Sequence, residues 1–411
     1  MDKKLRETAE TILHSALRAV QPDAAVRRAL ENAAFPGRVC LVAVGKAAWQ
    51  MAHAAYETLG ERISGGIVVT KYEHARGPIG PLRIREAGHP VADERSFAAA
   101  KEVLEMTAGL HADDTVLFLV SGGGSALFEL PLIEPAEQQE ITRQLLACGA
   151  DIVEMNTIRK RLSAVKGGRF AQHCSPAHVF SIVLSDIIGD PLDMIASGPA
   201  YPDASTEEQA LEIVRKYDLR LSEQAMDCLR RPTPKALSNV ETHVTGSVRE
   251  LCAAAMREAE ALGFRCQMLT DCLCCQAKEA GSFLASVARS HQDTDVPLAF
   301  LAGGETTVQL TGNGLGGRNQ ELALAAAPGI SGLRQTAVFS FGSDGTDGPT
   351  DAAGGYADQD TFAALQSAGW DAAQTLRDND AYHALQAVGG LLMTGPTGTN
   401  VNDLAMVLIA R

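Results

Sequence analysis

The chain has 411 residues, 46% apolar and 21% charged, a globular composition that excludes a disordered, collagenous or coiled-coil protein. At about 100–200 residues per domain, this length predicts two or three domains, each able to bury its own core. Thirty-six Lys and Arg against 50 Asp and Glu give a net charge of −14, which disfavours a nucleic-acid or anionic-membrane partner but leaves room for a local basic cleft.

The first segment, Met1–Val20, places Leu5, Ile12, Leu13, Ala16, Leu17 and Val20 at the spacing of one helix face. It lacks the uninterrupted apolar core of a signal peptide. No later run approaches the roughly 20 apolar residues of a membrane span, so a cytoplasmic protein is expected. From Val39 onward one pattern recurs, a β-rich run, then glycines, then a helical stretch. Val39–Val44 runs into Gly45-Lys46 and a helix over Ala47–Leu59. Thr115–Val120 meets Ser121-Gly122-Gly123-Gly124-Ser125, and Val179–Leu184 meets Ser185-Asp186. Thr206–Tyr217 is helical, and Arg230-Arg231-Pro232-Thr233-Pro234 opposes regular structure. A new alternation begins with Val240–Val244 and a helix over Val248–Leu262. Pro297–Leu301, Thr336–Phe341 and Leu391–Met393 then each lead into a glycine turn. Strands alternating with helices predict an α/β fold with a largely parallel sheet. The break predicts domains over 1–236 and 237–411. Ligands in such folds gather beyond the carboxyl ends of the strands, where all six glycine turns lie.

Each turn carries a chemical reading beside a structural one. Ser121, Gly122, Gly123, Gly124 and Ser125 form an anion cradle, or only a tight strand-to-helix turn. Lys46 points an ammonium into the same cleft, or is a solvated lysine. Met155–Phe170 holds Asn156, Arg159, Lys160, Arg161, Lys166 and Arg169, a carboxylate or phosphate site or a solvated basic face. Asp186 and Asp190 can hold Mg²⁺ beside phosphates or cap a helix, and Asp344 and Asp347 offer the same alternatives. Gly303, Gly304 and Glu305 close another strand. Gly312, Gly314 and Gly317 spell G-x-G-x-x-G, but the acid that a dinucleotide fold places about 20 residues later is missing. Arg318, after Gly316 and Gly317, can clamp a phosphoryl or carboxylate group, or pair with Glu321. No G-x-S-x-G elbow occurs and no glycine loop holds a histidine, which disfavours Ser-His hydrolysis.

Taken together, VAVGKAAWQM, LVSGGGSALFELP, GADIVEMNTIRKRLSAVKGGRFA, VLSDIIGDPLDMIASGPAYPD, LAGGETTVQLTGNGLGGRNQELALA, GSDGTDGPTDAAGGYAD and TGPTGTNVNDL resemble the class II glycerate 2-kinases. The C-terminal region of that family is called the MOFRL domain, here about residues 297–405. The resemblance spans nearly the whole chain. It implies a Rossmann-like, doubly wound N-terminal domain, a C-terminal α/β domain, an active site in the cleft between them, and a homodimer in many members. It further implies ATP- and Mg²⁺-dependent phosphorylation of D-glycerate at its 2-hydroxyl, with Lys46 and Arg318 as catalytic residues. On that reading Asp186 and Asp190 serve metal binding or hydroxyl activation, and Asn156, Arg161 and Lys166 orient the substrate. The glycines at 122–124, 303–304 and 316–317, with Ser121, Ser125 and Glu305, serve the nucleotide. Two rival readings are an NAD(P)H-dependent hydroxypyruvate reductase and a non-catalytic sensor of sugar acids or nucleotides.

Nine cysteines in a long chain read as reduced thiols. Cys272, Cys274 and Cys275 lack the second ligand pair of a zinc site. Cys274→Ser and Cys275→Ser should therefore leave activity and metal content unchanged. Stoichiometric zinc in the wild type, lost in these variants by elemental analysis, would refute that.

Overall fold

The structure, a computed structural model, describes every residue from Met1 to Arg411. Its strands form two six-stranded sheets. The first contains β1 (Val39–Val44), β2 (Ile63–Lys71), β3 (Leu82–Ala87), β4 (Thr115–Val120), β5 (His178–Leu184) and β6 (Val240–Gly246), in the order β3-β2-β1-β4-β5-β6. The pairs β1–β2, β2–β3, β1–β4 and β4–β5 are parallel. β1 and β4 are buried at every position, as expected for central parallel strands covered on both faces.

The chain winds outward one way through β2 and β3, then returns to β4 and winds the other way. The reversal lies between β1 and β4, and ligands of open α/β sheets bind beyond such a point. The loops there are Gly45-Lys46 and Ser121–Gly124. They touch because Gly45, at φ +122°, has no side chain: a β-carbon there would lie 2.2 Å from Ser121 Oγ. The Lys46 amide donates to the Gly122 carbonyl at 2.9 Å, and the Ala47 amide to Ser121 Oγ at 3.1 Å.

The second sheet contains β7 (Arg265–Leu273), β8 (Leu298–Gly304), β9 (Thr336–Gly342), β10 (Gly354–Asp358), β11 (Leu391–Leu392) and β12 (Asp403–Ile409), in the order β11-β10-β9-β12-β8-β7. Only β7–β8 is parallel; β12 runs antiparallel to both β8 and β9, and β10 antiparallel to β9 and β11. β12 is fully buried and was not among the expected strands. Its first residue, Asp403, lies opposite Gly304 and Gly342, the last residues of its two neighbours.

Two compact units surround these sheets. Residues 25–184 and 190–245 form one, and 1–24, 185–189 and 246–411 the other. The division differs from the expected 1–236 and 237–411 for physical reasons. The proline break is a loop within the first unit, because β6 beyond it completes the first sheet. The N-terminal helix Lys3–Ala19 buries Leu5, Ile12, Leu13 and Leu17 with Leu251, Phe339, Phe341 and Leu404. Burial of such side chains is worth about 1.5–3 kcal/mol each, which ties this helix to the second unit. No helix is long and apolar enough to cross a membrane.

Within the second unit, helix Arg318–Ile330 is capped from a distant loop. The Asn319 and Gln320 amides donate to the Asp347 carboxylate at 3.1 and 2.8 Å, a negative charge at the positive end of a helix. Burial nevertheless pushes the Asp347 carboxyl up to about 6, against the pull of those two amides. The preceding G-x-G-x-x-G loop is stitched to Asp378–Asp380. Thr311 and Gly312 donate to Asn379 Oδ1 at 2.7 and 2.9 Å, Gly314 to the Asp378 carbonyl at 2.8 Å, and Leu315 to Asp380 Oδ1 at 3.0 Å.

Two outcomes are expected. Gly45→Ala should destabilise the protein by more than about 2 kcal/mol, from the strained φ and the clash with Ser121; an unchanged urea midpoint would contradict this. Asp347 titrates near 6 in the fold and near 3.8 in an ordinary carboxyl. Its stabilising contribution is therefore complete below about pH 4 and lost as the pH rises through about 6. Asp347→Asn should flatten that part of the stability–pH curve, and identical slopes in both proteins would refute it.

Candidate active site

In the first unit the carboxyl ends of β1, β3 and β4 assemble a basic cradle. Gly123 adopts φ +88°, and no group of the chain accepts the amides of Gly122 and Gly123. Lys46 is exposed and forms no ion pair. His89, two residues beyond β3, stands opposite it: a β-carbon on Gly123 would lie 3.0 Å from His89 Nε2 and 3.2 Å from Lys46 Cγ. Burial holds the His89 pKa below its ordinary value, with help from Lys46, Lys71 and His74. Open amides, an ammonium and an imidazole around one glycine suit an anionic group. His89 was missed because it follows a strand without a glycine loop of its own; Gly88-His89 after β3 was the available signal.

Three expected substrate ligands lie beneath this cradle or away from it. Lys166 is fully buried. Its ammonium donates to the Ser125 and Phe128 carbonyls at 2.7 and 3.0 Å and pairs with Glu129 at 3.3 Å. Asn156 Oδ1 accepts from Ser197 Oγ at 2.8 Å, and Ser197 meets Ser125 Oγ at 3.3 Å. Lys166 and Asn156 thus brace the glycine loop from below. Arg161 donates to the carbonyls of Leu229, Arg231 and Ser205 at 3.1, 2.9 and 3.0 Å. The expectation that Arg161 and Lys166 orient substrate is corrected: buried cations need partners, and theirs are the chain's own oxygens. Lys160 likewise pairs with Asp193 and Asp203 at 2.9 and 3.3 Å.

In the second unit the centre is Arg318. Its Nε and Nη2 donate to the two oxygens of Asp403 at 2.5 and 3.0 Å, and Nη1 pairs with Glu305 at 3.1 Å. Burial lowers the Arg318 pKa, but the hydrogen bonds and charge of Asp403, with Glu305, hold it above its ordinary value. The alternative pairing with Glu321 is not formed; Glu321 meets Asn379. Asn402 donates to the Asp186 carbonyl at 3.2 Å and to Glu305 at 3.3 Å. Gly303 and Gly304 are paired strand residues of β8. Gly316 and Gly317 line a cavity of about 830 Å³ with Ile188, Val308, Leu310 and Pro349, within the size range of small-ligand sites. Asp403 and Asn402 were unsuspected because their stretch, TGPTGTNVNDL, reads as a loop.

The acidic candidates divide. Asp347 is committed to the helix cap, and Asp344 Oδ1 accepts the Thr346 amide at 3.0 Å. Of the alternative metal pair, Asp347 has both oxygens occupied by backbone amides, and Asp344 has one. Asp186 falls in the second unit and Asp190 in the first. Asp190 Oδ1 is buried without a partner, which suits a cation or a hydroxyl. No three His, Cys, Asp or Glu side chains group as a metal site. The G-x-G-x-x-G amides at 312 and 314 are turned onto Asn379 and Asp378, so this loop has the wrong geometry to cradle a pyrophosphate.

The domain of unknown function DUF4147 matches residues 8–230, and the MOFRL family matches residues 298–403. A Thermotoga maritima protein named D-glycerate 2-kinase is 51% identical over 99% of both chains. An Agrobacterium vitis protein named a hydroxypyruvate reductase is 38% identical over 99% of this chain and 95% of its own. A crystal structure of glycerate kinase from Thermotoga maritima superposes with a TM-score of 0.95 at 50% identity, covering all of both chains. With an α/β fold of two units, a MOFRL region and full-length relatives of this kind, the chain belongs to the MOFRL-containing glycerate kinase family.

Proposed function

We propose that the protein is an ATP-dependent D-glycerate 2-kinase, forming 2-phospho-D-glycerate. The observation that carries this reading is 51% identity, over 99% of both chains, to a protein named D-glycerate 2-kinase. The geometry supports it. Phosphoryl transfer asks a protein mainly for positioning and charge neutralisation. Lys46 and the free amides of Gly122 and Gly123 offer these in one unit, and the Arg318 guanidinium in the other. In this reading both cations act on the transferring group. Asp190, with its unpartnered Oδ1, and Asp186 would hold Mg²⁺, which neutralises phosphate charge when bound. His89, held toward its neutral form, is available to accept a hydrogen bond from a hydroxyl. The reductase reading has the name of the Agrobacterium relative in its favour, and the committed amides of the glycine loop against it. Nine unpaired cysteines support a reducing, cytoplasmic setting.

The decisive assay incubates pure protein with D-glycerate and Mg-ATP, and separately with hydroxypyruvate and NADH, and identifies the products. 2-Phosphoglycerate is expected; NADH oxidation without phosphorylation would reverse the assignment. Lys46→Ala should lower kcat about 100-fold or more. Arg318→Lys should impair kcat nearly as much as Arg318→Ala, by up to about 10³-fold, because a point charge cannot replace a planar fork. Steady-state kinetics near wild type in either variant, with circular dichroism confirming the fold, would remove that residue from the mechanism.

A further inference from the structure

The Arg318 guanidinium has two unlike edges. Its inner edge, Nε and Nη2, meets both oxygens of Asp403 at 2.5 and 3.0 Å. The Asp403 side chain is only 8% exposed. The backbone of Asp403 is fixed in two ladders at once, opposite Gly304 on β8 and Gly342 on β9. Both opposing residues are glycines, so no side chain stands between Asp403 and the arginine. The outer edge, Nη1, meets Glu305, whose side chain is 46% exposed. One contact is therefore buried, bidentate and anchored in a sheet. The other is single, half in water, and replaceable.

A fork held at two donors fixes the guanidinium plane and leaves one direction for the third nitrogen. We infer that Asp403 is the positioning residue for Arg318 in phosphoryl transfer: it locks the inner edge so that Nη1 is presented to an anionic oxygen, which takes the place of Glu305. This rests on the kinase reading of Arg318. Asp403 itself does not touch substrate; it acts by removing the rotational freedom of the group that does, and such preorganisation acts on turnover more than on binding.

The test uses the full-length enzyme and chemical rescue. Arg318→Ala should regain part of its lost turnover when guanidinium ion is added at sub-denaturing concentration, saturably, because the Asp403 carboxylate remains to orient the ion. The double variant Arg318→Ala/Asp403→Asn should lose at least about tenfold of that rescue. Asp403→Asn alone should lower kcat about 10- to 100-fold, with KM for glycerate and for ATP within about twofold of wild type. Circular dichroism and melting curves establish that each variant folds; a purely structural role for Asp403 would lower stability and leave the rescue intact. Equal rescue with and without the carboxylate would overturn the role of Asp403 while leaving Arg318 in place. Wild-type turnover of Arg318→Ala would overturn the assignment of Arg318 and this inference with it.

Discussion

The insertion of β12 antiparallel between β8 and β9 organises the second unit. Two strands that run in the same direction end together, and an antiparallel strand between them begins where they end. Asp403 is the residue at that beginning, so one carboxylate stands at the carboxyl edge of two strands, flanked by glycines on both sides. Arg318 reaches it from the first turn of its helix. That helix is itself oriented by Asp347, a carboxylate delivered by the loop after β9 to two amides at the helix start. The position of the cation thus follows from one sheet topology and two acids, neither adjacent to it in sequence.

The first unit reaches a comparable end by different means. Its sheet is parallel from β3 to β5, and the reversal of winding between β1 and β4 opens a gap at their carboxyl ends. Gly45 lets the two loops approach until their backbones hydrogen-bond, which leaves the amides of Gly122 and Gly123 free of internal partners. Lys46 and His89 then flank Gly123. The two sites are electrostatically unlike. One is a cation-rich cradle of open amides; the other is a single arginine among carboxylates, held by one and shared with another.

The same contrast explains the fate of the basic segment Met155–Phe170. Lys160, Arg161 and Lys166 are buried at 2%, 1% and 0% exposure, and each finds carbonyl or carboxylate partners within its own unit. Charge of this kind orders the loops it ties together. Lys166 grips the carbonyls of Ser125 and Phe128, so it contributes to the cradle as a brace under it.

Much of this protein was legible in its sequence. Apolar runs ending in a turn marked β1, β4, β5, β8 and β9, because a strand buried on both faces must be apolar throughout and must turn sharply at its end. Lys46 and Arg318 were conspicuous because each directly follows glycine. Residues whose roles depend on a partner far along the chain were not legible. Asp403 meets Arg318 from 85 residues away, and the N-terminal helix shows which face is buried but not against which sheet. The basic segment shows its charge but not whether water or carbonyl oxygen surrounds it. Sequence periodicity records the local geometry of an element and the polarity it needs. Pairing partner, strand direction and burial of a charge are set by long-range packing, and only the tertiary structure decided them.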